Sequence, residues 1–83
     1  YYNQGVKQYS DGDIQGAIAS FTEVIRLDPG NAAAYENRGN ARDDLGDHQG
    51  AIADYNQAIN INPNNATTYY NRGIAYDRLG NNE

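Results

Sequence analysis

The most constraining feature of the chain is a phrase that occurs twice. "GDIQGAIASF" runs from Gly12 to Phe21, and "GDHQGAIADY" runs from Gly46 to Tyr55, 34 residues later. A shift of 34 places Tyr1, Asn3, Gly5, Gly12, Asp13, Gln15, Gly16, Ala17, Ile18, Ala19, Ile25 and Pro29 on identical residues, with no insertion. A third, partial copy follows: Asn31, Tyr35, Asn37, Arg38, Gly39, Ala41, Asp43 and Leu45 recur at Asn65, Tyr69, Asn71, Arg72, Gly73, Ala75, Asp77 and Leu79. A fixed period of this length marks one supersecondary unit stacked on copies of itself. Such a unit cannot bury its apolar face alone.

Each unit reads as two helices. Asn31 is a good N-cap ahead of Ala32, and Asp47 is another ahead of His48, with its charge at the positive end of the helix dipole. Gly46 can take a positive φ and stop the first helix. Pro63 ends the unit and biases Asn62 away from helical geometry. Tyr35, Gly39, Arg42 and Leu45 are expected on one face of the first helix. Ala51, Ile52, Tyr55, Ala58, Ile59 and Ile61 are expected to form the apolar stripe of the second. Glycine inside a helix costs roughly 1 kcal/mol relative to Ala. Gly5, Gly39 and Gly73 carry that cost at the same phase, so close approach of the paired helix at Ala17 and Ala51 is expected there. The sequence supplies no firm role for Gly16 and Gly50.

Composition narrows the function classes. The chain has 83 residues, a net charge of −5 and no cysteine. Phosphate binding needs a basic stripe, and six Lys and Arg spread over the chain do not make one. Nucleic acid and anionic membranes are therefore not expected partners. No apolar run reaches the ~20 residues of a membrane span. Residue 1 is Tyr, so the sequence is expected to be an excised, processed or engineered piece; a cytoplasmic setting is the working expectation.

The period, the two helices per unit and the order Tyr35-x2-Arg38-Gly39, Ala51-x3-Tyr55, Pro63 resemble the tetratricopeptide repeat (TPR). "NRGNARDDLGD" and "GAIADYNQAININP" look most like the tandem repeats of bacterial multi-repeat proteins. The sequence departs from the family pattern where Gln4, Arg38 and Arg72 replace Leu, and where Gln8 and Arg42 replace an aromatic that Tyr76 keeps. These are packing positions, so looser packing is expected. The resemblance implies an all-α fold: a right-handed α-solenoid of antiparallel helix pairs, with five helices in one domain. Residues 1–30 would be the first unit, 31–64 the second, and 65–83 the first helix of a third.

The resemblance further implies that the first helices line a concave groove that takes a peptide or helix of a partner protein. The groove residues would be Tyr2, Asn3, Val6, Glu36, Asn37, Asn40, Asp44, Tyr70, Asn71, Ile74 and Arg78, with Tyr9, Ser10, Asp43, Thr67 and Asp77 beside them. Asn3, Asn37 and Asn71 form an amide ladder able to donate to and accept from a peptide backbone. The same three residues can instead bridge neighbouring helices. Some relatives clamp acidic chaperone tails with Lys, Asn, Asn, Lys and Arg. Those positions hold Tyr2, Val6, Asn37, Thr67 and Asn71, and only Asn37 matches. With Glu36, Asp43, Asp44 and Asp77 on that face, a neutral or basic peptide is expected.

Chemistry at single residues finds little support. "DGDIQG" at 11–16 resembles the start of a calcium loop, but Thr22 stands where the twelfth-place Glu belongs. His48 is expected to be exposed and has no nucleophile at a recognisable spacing. Asp43 and Asp44 read as a solvated face. No metal, cofactor or catalytic group is expected. Tyr69, Gly73, Tyr76 and Leu79 face no second helix of their own unit, which opens the possibility of a homodimer through that face. A structural spacer or self-association segment within a longer array is the alternative reading.

Overall fold

The helices begin and end on groups that the sequence provides. The computed structural model describes residues 1–80, in which α1 (Tyr2–Ser10), α2 (Ile14–Leu27), α3 (Ala32–Asp44), α4 (His48–Ile61) and α5 (Ala66–Gly80) follow one another. Asp13 accepts a hydrogen bond from the Gly16 amide, and Asp47 from the Gly50 amide, each at 3.0 Å. Asn31 caps α3 in the same way through the Ala34 amide. Gly12 and Gly46 turn the chain between paired helices at φ 87° and 89°, where a side chain would strain the backbone. Asn62, ahead of Pro63, leaves helical geometry at φ −133° and ends α4.

The caps also explain Gly16 and Gly50. A Cβ at either position would run into the capping carboxylate of Asp13 or Asp47. Glycine lets the carboxylate close over the helix end.

Each helix packs against the next one in the chain. The core contains Phe21, Val24, Ile52 and Tyr55 among six buried alanines: Ala17, Ala34, Ala41, Ala51, Ala58 and Ala75. Small residues let the helix axes approach, and two rings fill the remaining gaps. A Cβ on Gly5 would lie 2.7 Å from the Phe21 ring, and one on Gly39 would lie 2.8 Å from the Tyr55 ring. The expectation of contact at Ala17 and Ala51 is corrected in part. The closest group is the ring four residues later, with the Ala51 carbonyl next at 3.2 Å from the Gly39 position.

Two stripe assignments also change. Leu45 is exposed because it caps the end of α3, and Ile61 is exposed in the last turn of α4. α5 lies back on α4, with Ala75 and Leu79 packed against Ala51, Ile52 and Tyr55. Leu79 therefore leaves the face assigned to it, while Tyr69 and Tyr76 remain exposed. No described helix is long and apolar enough to cross a membrane.

The positions that depart from the family pattern are filled by charge. Asp54, only 2% exposed, accepts from Arg38 Nε at 3.0 Å and Nη2 at 2.8 Å, and from Arg42 Nη1 at 3.0 Å. In the preceding unit the equivalent places hold Gln4, Gln8 and Ser20, and the Gln8 amide and Ser20 hydroxyl lie 2.5 Å apart. One unit thus bridges its helices with neutral groups and the next with an ion triad.

Candidate functional site

The first helices of the units, α1, α3 and α5, are joined side chain to side chain. Asn37 Nδ2 donates to the Tyr2 hydroxyl at 2.8 Å. Tyr9 donates its phenol proton to Asp44. Asn71 Nδ2 donates to Asn40 Oδ1 at 3.3 Å, and Arg78 Nη1 donates to Asp43 at 2.5 Å. Asn65, just ahead of α5, reaches Glu36 at 3.3 Å. Between these ties lies a cavity of about 240 Å³ lined by Tyr9, Asn40, Asp43, Asp44, Tyr55, Asn71, Ile74 and Arg78.

The electrostatics of the cavity are dominated by two adjacent carboxylates on different duties. Asp43 is buried and holds both Arg78 and His48 Nδ1, the latter at 2.5 Å. This corrects two expectations: Asp43 is not part of a solvated face, and His48 is not exposed, its side chain being 11% accessible. The physical reason is that α4 begins directly under the last turn of α3, so His48 folds onto Asp43. Asp44 faces outward and is bonded by Tyr9. Partial burial, the bond to Asp44 and the nearby negative charge of Asp44 and Asp43 push the Tyr9 phenol up to about 12. Burial, then the charge of Asp43, pushes the Tyr55 phenol up as well. Tyr55 donates to Asn40 Oδ1 at 2.5 Å, which fixes that amide at the cavity floor.

Of the residues expected to line a groove, the cavity gathers Asn40, Asp44, Asn71, Ile74 and Arg78, together with Tyr9 and Asp43. Tyr2, Glu36 and Asn37 lie outside it and are tied into inter-helix bonds. Tyr2 also meets the Phe21 ring edge-on at 5.9 Å. Asn3, Val6 and Tyr70 are exposed away from the cavity. The amide ladder therefore divides: Asn37 and Asn71 bridge neighbouring helices, and Asn3 faces solvent. Tyr55 is the lining residue that sequence reasoning missed. Its place in the apolar stripe hid the hydroxyl at the far end of the ring.

The cavity offers amides, carboxylates, two phenols and a guanidinium around one aliphatic side chain. These groups suit hydrogen bonding to a chain with its own amides. Among the described residues no three of His, Cys, Asp and Glu cluster as a metal site would need.

Comparison with known proteins agrees with this architecture. A family model described as TPR repeat matches residues 5–46 and again 39–80. No curated protein matches the chain. Among solved structures, the chain resembles the first TPR of Spaghetti (RPAP3) bound to the HSP90 peptide SRMEEVD, with a TM-score of 0.92 and 29% identity over 94% of this chain and 62% of that one. It resembles MamA, with a TM-score of 0.94 and 32% identity over 96% of this chain and 44% of that one. It also resembles the TPR2B domain of yeast Sti1 in complex with pHsp70, with a TM-score of 0.89 and 32% identity over 92% and 61% of the two chains. The present chain thus spans less than two thirds of each of these relatives. With two overlapping family matches across nearly all of its helices, the chain belongs to the tetratricopeptide-repeat family.

Proposed function

We propose that the chain is a non-catalytic interaction scaffold that holds a segment of a partner protein along the face shared by α1, α3 and α5. The observation that carries this reading is the convergence of Asn40, Asp44, Asn71, Ile74 and Arg78 on one cavity. The Spaghetti repeat holds an HSP90 peptide and the Sti1 domain is in complex with pHsp70, which supports the same use of the fold here. Tyr2, Asn3, Val6, Glu36, Asn37 and Tyr70 extend the binding face beyond the cavity.

The preferred peptide is neutral or basic. The Spaghetti repeat binds SRMEEVD, an acidic sequence, and this chain departs from that preference through its own residues. Asp43, Asp44 and Glu36 line or border the face, and like charges brought together there cost binding energy. Arg78 is the one cation of the cavity lining, and Asp43 already neutralises it. Fluorescence anisotropy with labelled neutral, basic and acidic peptides tests the preference. The basic or neutral peptides should bind more tightly, and Asp44→Asn should narrow the difference. Tighter binding of the acidic peptide would overturn it.

The second reading, a structural spacer or self-association segment, draws on the exposed face around Tyr69, Gly73 and Tyr76. A mass that rises with concentration in light scattering would favour it.

A further inference from the structure

The hydrogen bonds within the cavity leave a particular set of atoms over. Asn40 Oδ1 accepts from the Tyr55 hydroxyl at 2.5 Å and from Asn71 Nδ2 at 3.3 Å, so that oxygen is filled. Asp43 gives one oxygen to His48 and the other to Arg78. Asp44 accepts from the Tyr9 hydroxyl through Oδ2 alone. Among the described residues, Asp44 Oδ1, Asn71 Oδ1 and the hydroxyl oxygens of Tyr9 and Tyr55 accept nothing. The charges divide in the same way. Arg78 balances Asp43, whereas Asp44 is met by a neutral phenol. The Tyr9 phenol registers the negative charge: partial burial, the bond to Asp44 and the charge of both carboxylates hold it up to about 12. Repetition of the unit does not account for Asp44, because its equivalents are Ser10 in the first unit and Arg78 in the third.

We propose that the cavity seats a lysine side chain of the partner segment, with its ammonium against Asp44 and its stem along Ile74. This deepens the binding reading given above and rests on it. An ammonium carries three donors and no acceptor, which matches a wall of unused acceptors beside one unbalanced carboxylate. Arginine fits less well. Its planar fork is suited to both oxygens of a carboxylate, and Tyr9 already holds one oxygen of Asp44. The lysine stem packs along apolar surface while its head stays among polar groups, and Ile74 is the one aliphatic side chain of the lining. At about 240 Å³ the cavity is smaller than the ~300–1,000 Å³ of pockets that enclose a whole small molecule, and it suits a single long side chain.

The test uses three mixed pools of short peptides, blocked at both ends. Their central residue is lysine, arginine or norleucine, and the flanking positions vary among uncharged residues. Each pool is titrated into the isotope-labelled chain. The lysine pool should shift Asn40, Asp44, Asn71 and Ile74 at concentrations about tenfold below those the norleucine pool needs, as one charge-assisted bond would give. The arginine pool should fall between them. Asp44→Asn, an isosteric change at an exposed position, should bring the three pools together. Equal responses to the lysine and norleucine pools, or a stronger response to arginine, would overturn the lysine assignment while leaving the binding face in place. An undiminished lysine preference in Asp44→Asn would overturn it equally. Silence along α1, α3 and α5 with all three pools would remove the binding reading itself, and this inference with it.

Discussion

Arg38 and Asp54 form a two-pronged ion pair, at 3.0 and 2.8 Å, between the two helices of the central unit. Arg42 closes the triad on the same carboxylate. The Asp54 side chain is 3% accessible and that of Arg38 14%. Removing one partner leaves charge uncompensated in a site that water barely reaches. Asp54→Ala should therefore cost about 3–5 kcal/mol, a large share of the stability of so small a domain. The combined change Arg38→Gln, Arg42→Gln and Asp54→Ser copies the neutral bridge of the first unit and should recover most of the loss. Urea unfolding of the two variants checks both statements.

Gly39 and Gly73 occupy the same place in successive units but should respond oppositely to alanine. A methyl at Gly39 meets the Tyr55 ring and the Ala51 carbonyl, so Gly39→Ala should destabilise by about 1–3 kcal/mol through overpacking. A methyl at Gly73 meets nothing, so Gly73→Ala should stabilise by roughly 1 kcal/mol through helix propensity. Thermal melts should move in opposite directions.

Gly50 and Asp47 should be coupled. Asp47→Ala removes an N-cap and should cost about 1 kcal/mol. Gly50→Ala should also destabilise the parent, since its methyl runs into the capping carboxylate. Once Asp47 is Ala, that obstacle is gone, and Gly50→Ala should become neutral or favourable. A double-mutant cycle in urea reads the difference.

Alkaline pH should weaken the fold in a defined window. The Tyr9 phenol holds its proton more tightly in the fold, up to about 12, than in the unfolded chain, where about 10 is usual. Its contribution is fully present below pH ~10 and is lost as pH rises through ~12. Burial raises Tyr55 in the same direction. The urea midpoint should fall across this window, and Tyr9→Phe should flatten the fall without removing it.

Features set by neighbouring residues were legible in the sequence. Asn31, Gly46, Asp47 and Pro63 act on the backbone within a few residues of themselves, so the helix ends could be read directly. Gly39 announced a close neighbour by its cost. The polar contacts between helices were less legible. His48 reads as a surface residue until α4 folds it onto Asp43, and Leu45 reads as core until the chain turns beneath it. The ion triad did leave a trace. Gln4, Gln8 and Ser20 become Arg38, Arg42 and Asp54 together when one unit is laid on the next. That joint change marks three side chains that meet. Repetition misled in one respect. Asn3, Asn37 and Asn71 recur because the unit recurs, and two of them are bonded to neighbouring helices.

The most direct test of the proposed function is an NMR titration of the labelled chain with short neutral, basic and acidic peptides. The account predicts saturable shifts at Asn40, Asp44, Asn71, Ile74 and Arg78 with the neutral or basic peptides. Silence at those residues with every peptide, or a stronger response to the acidic one, would contradict it.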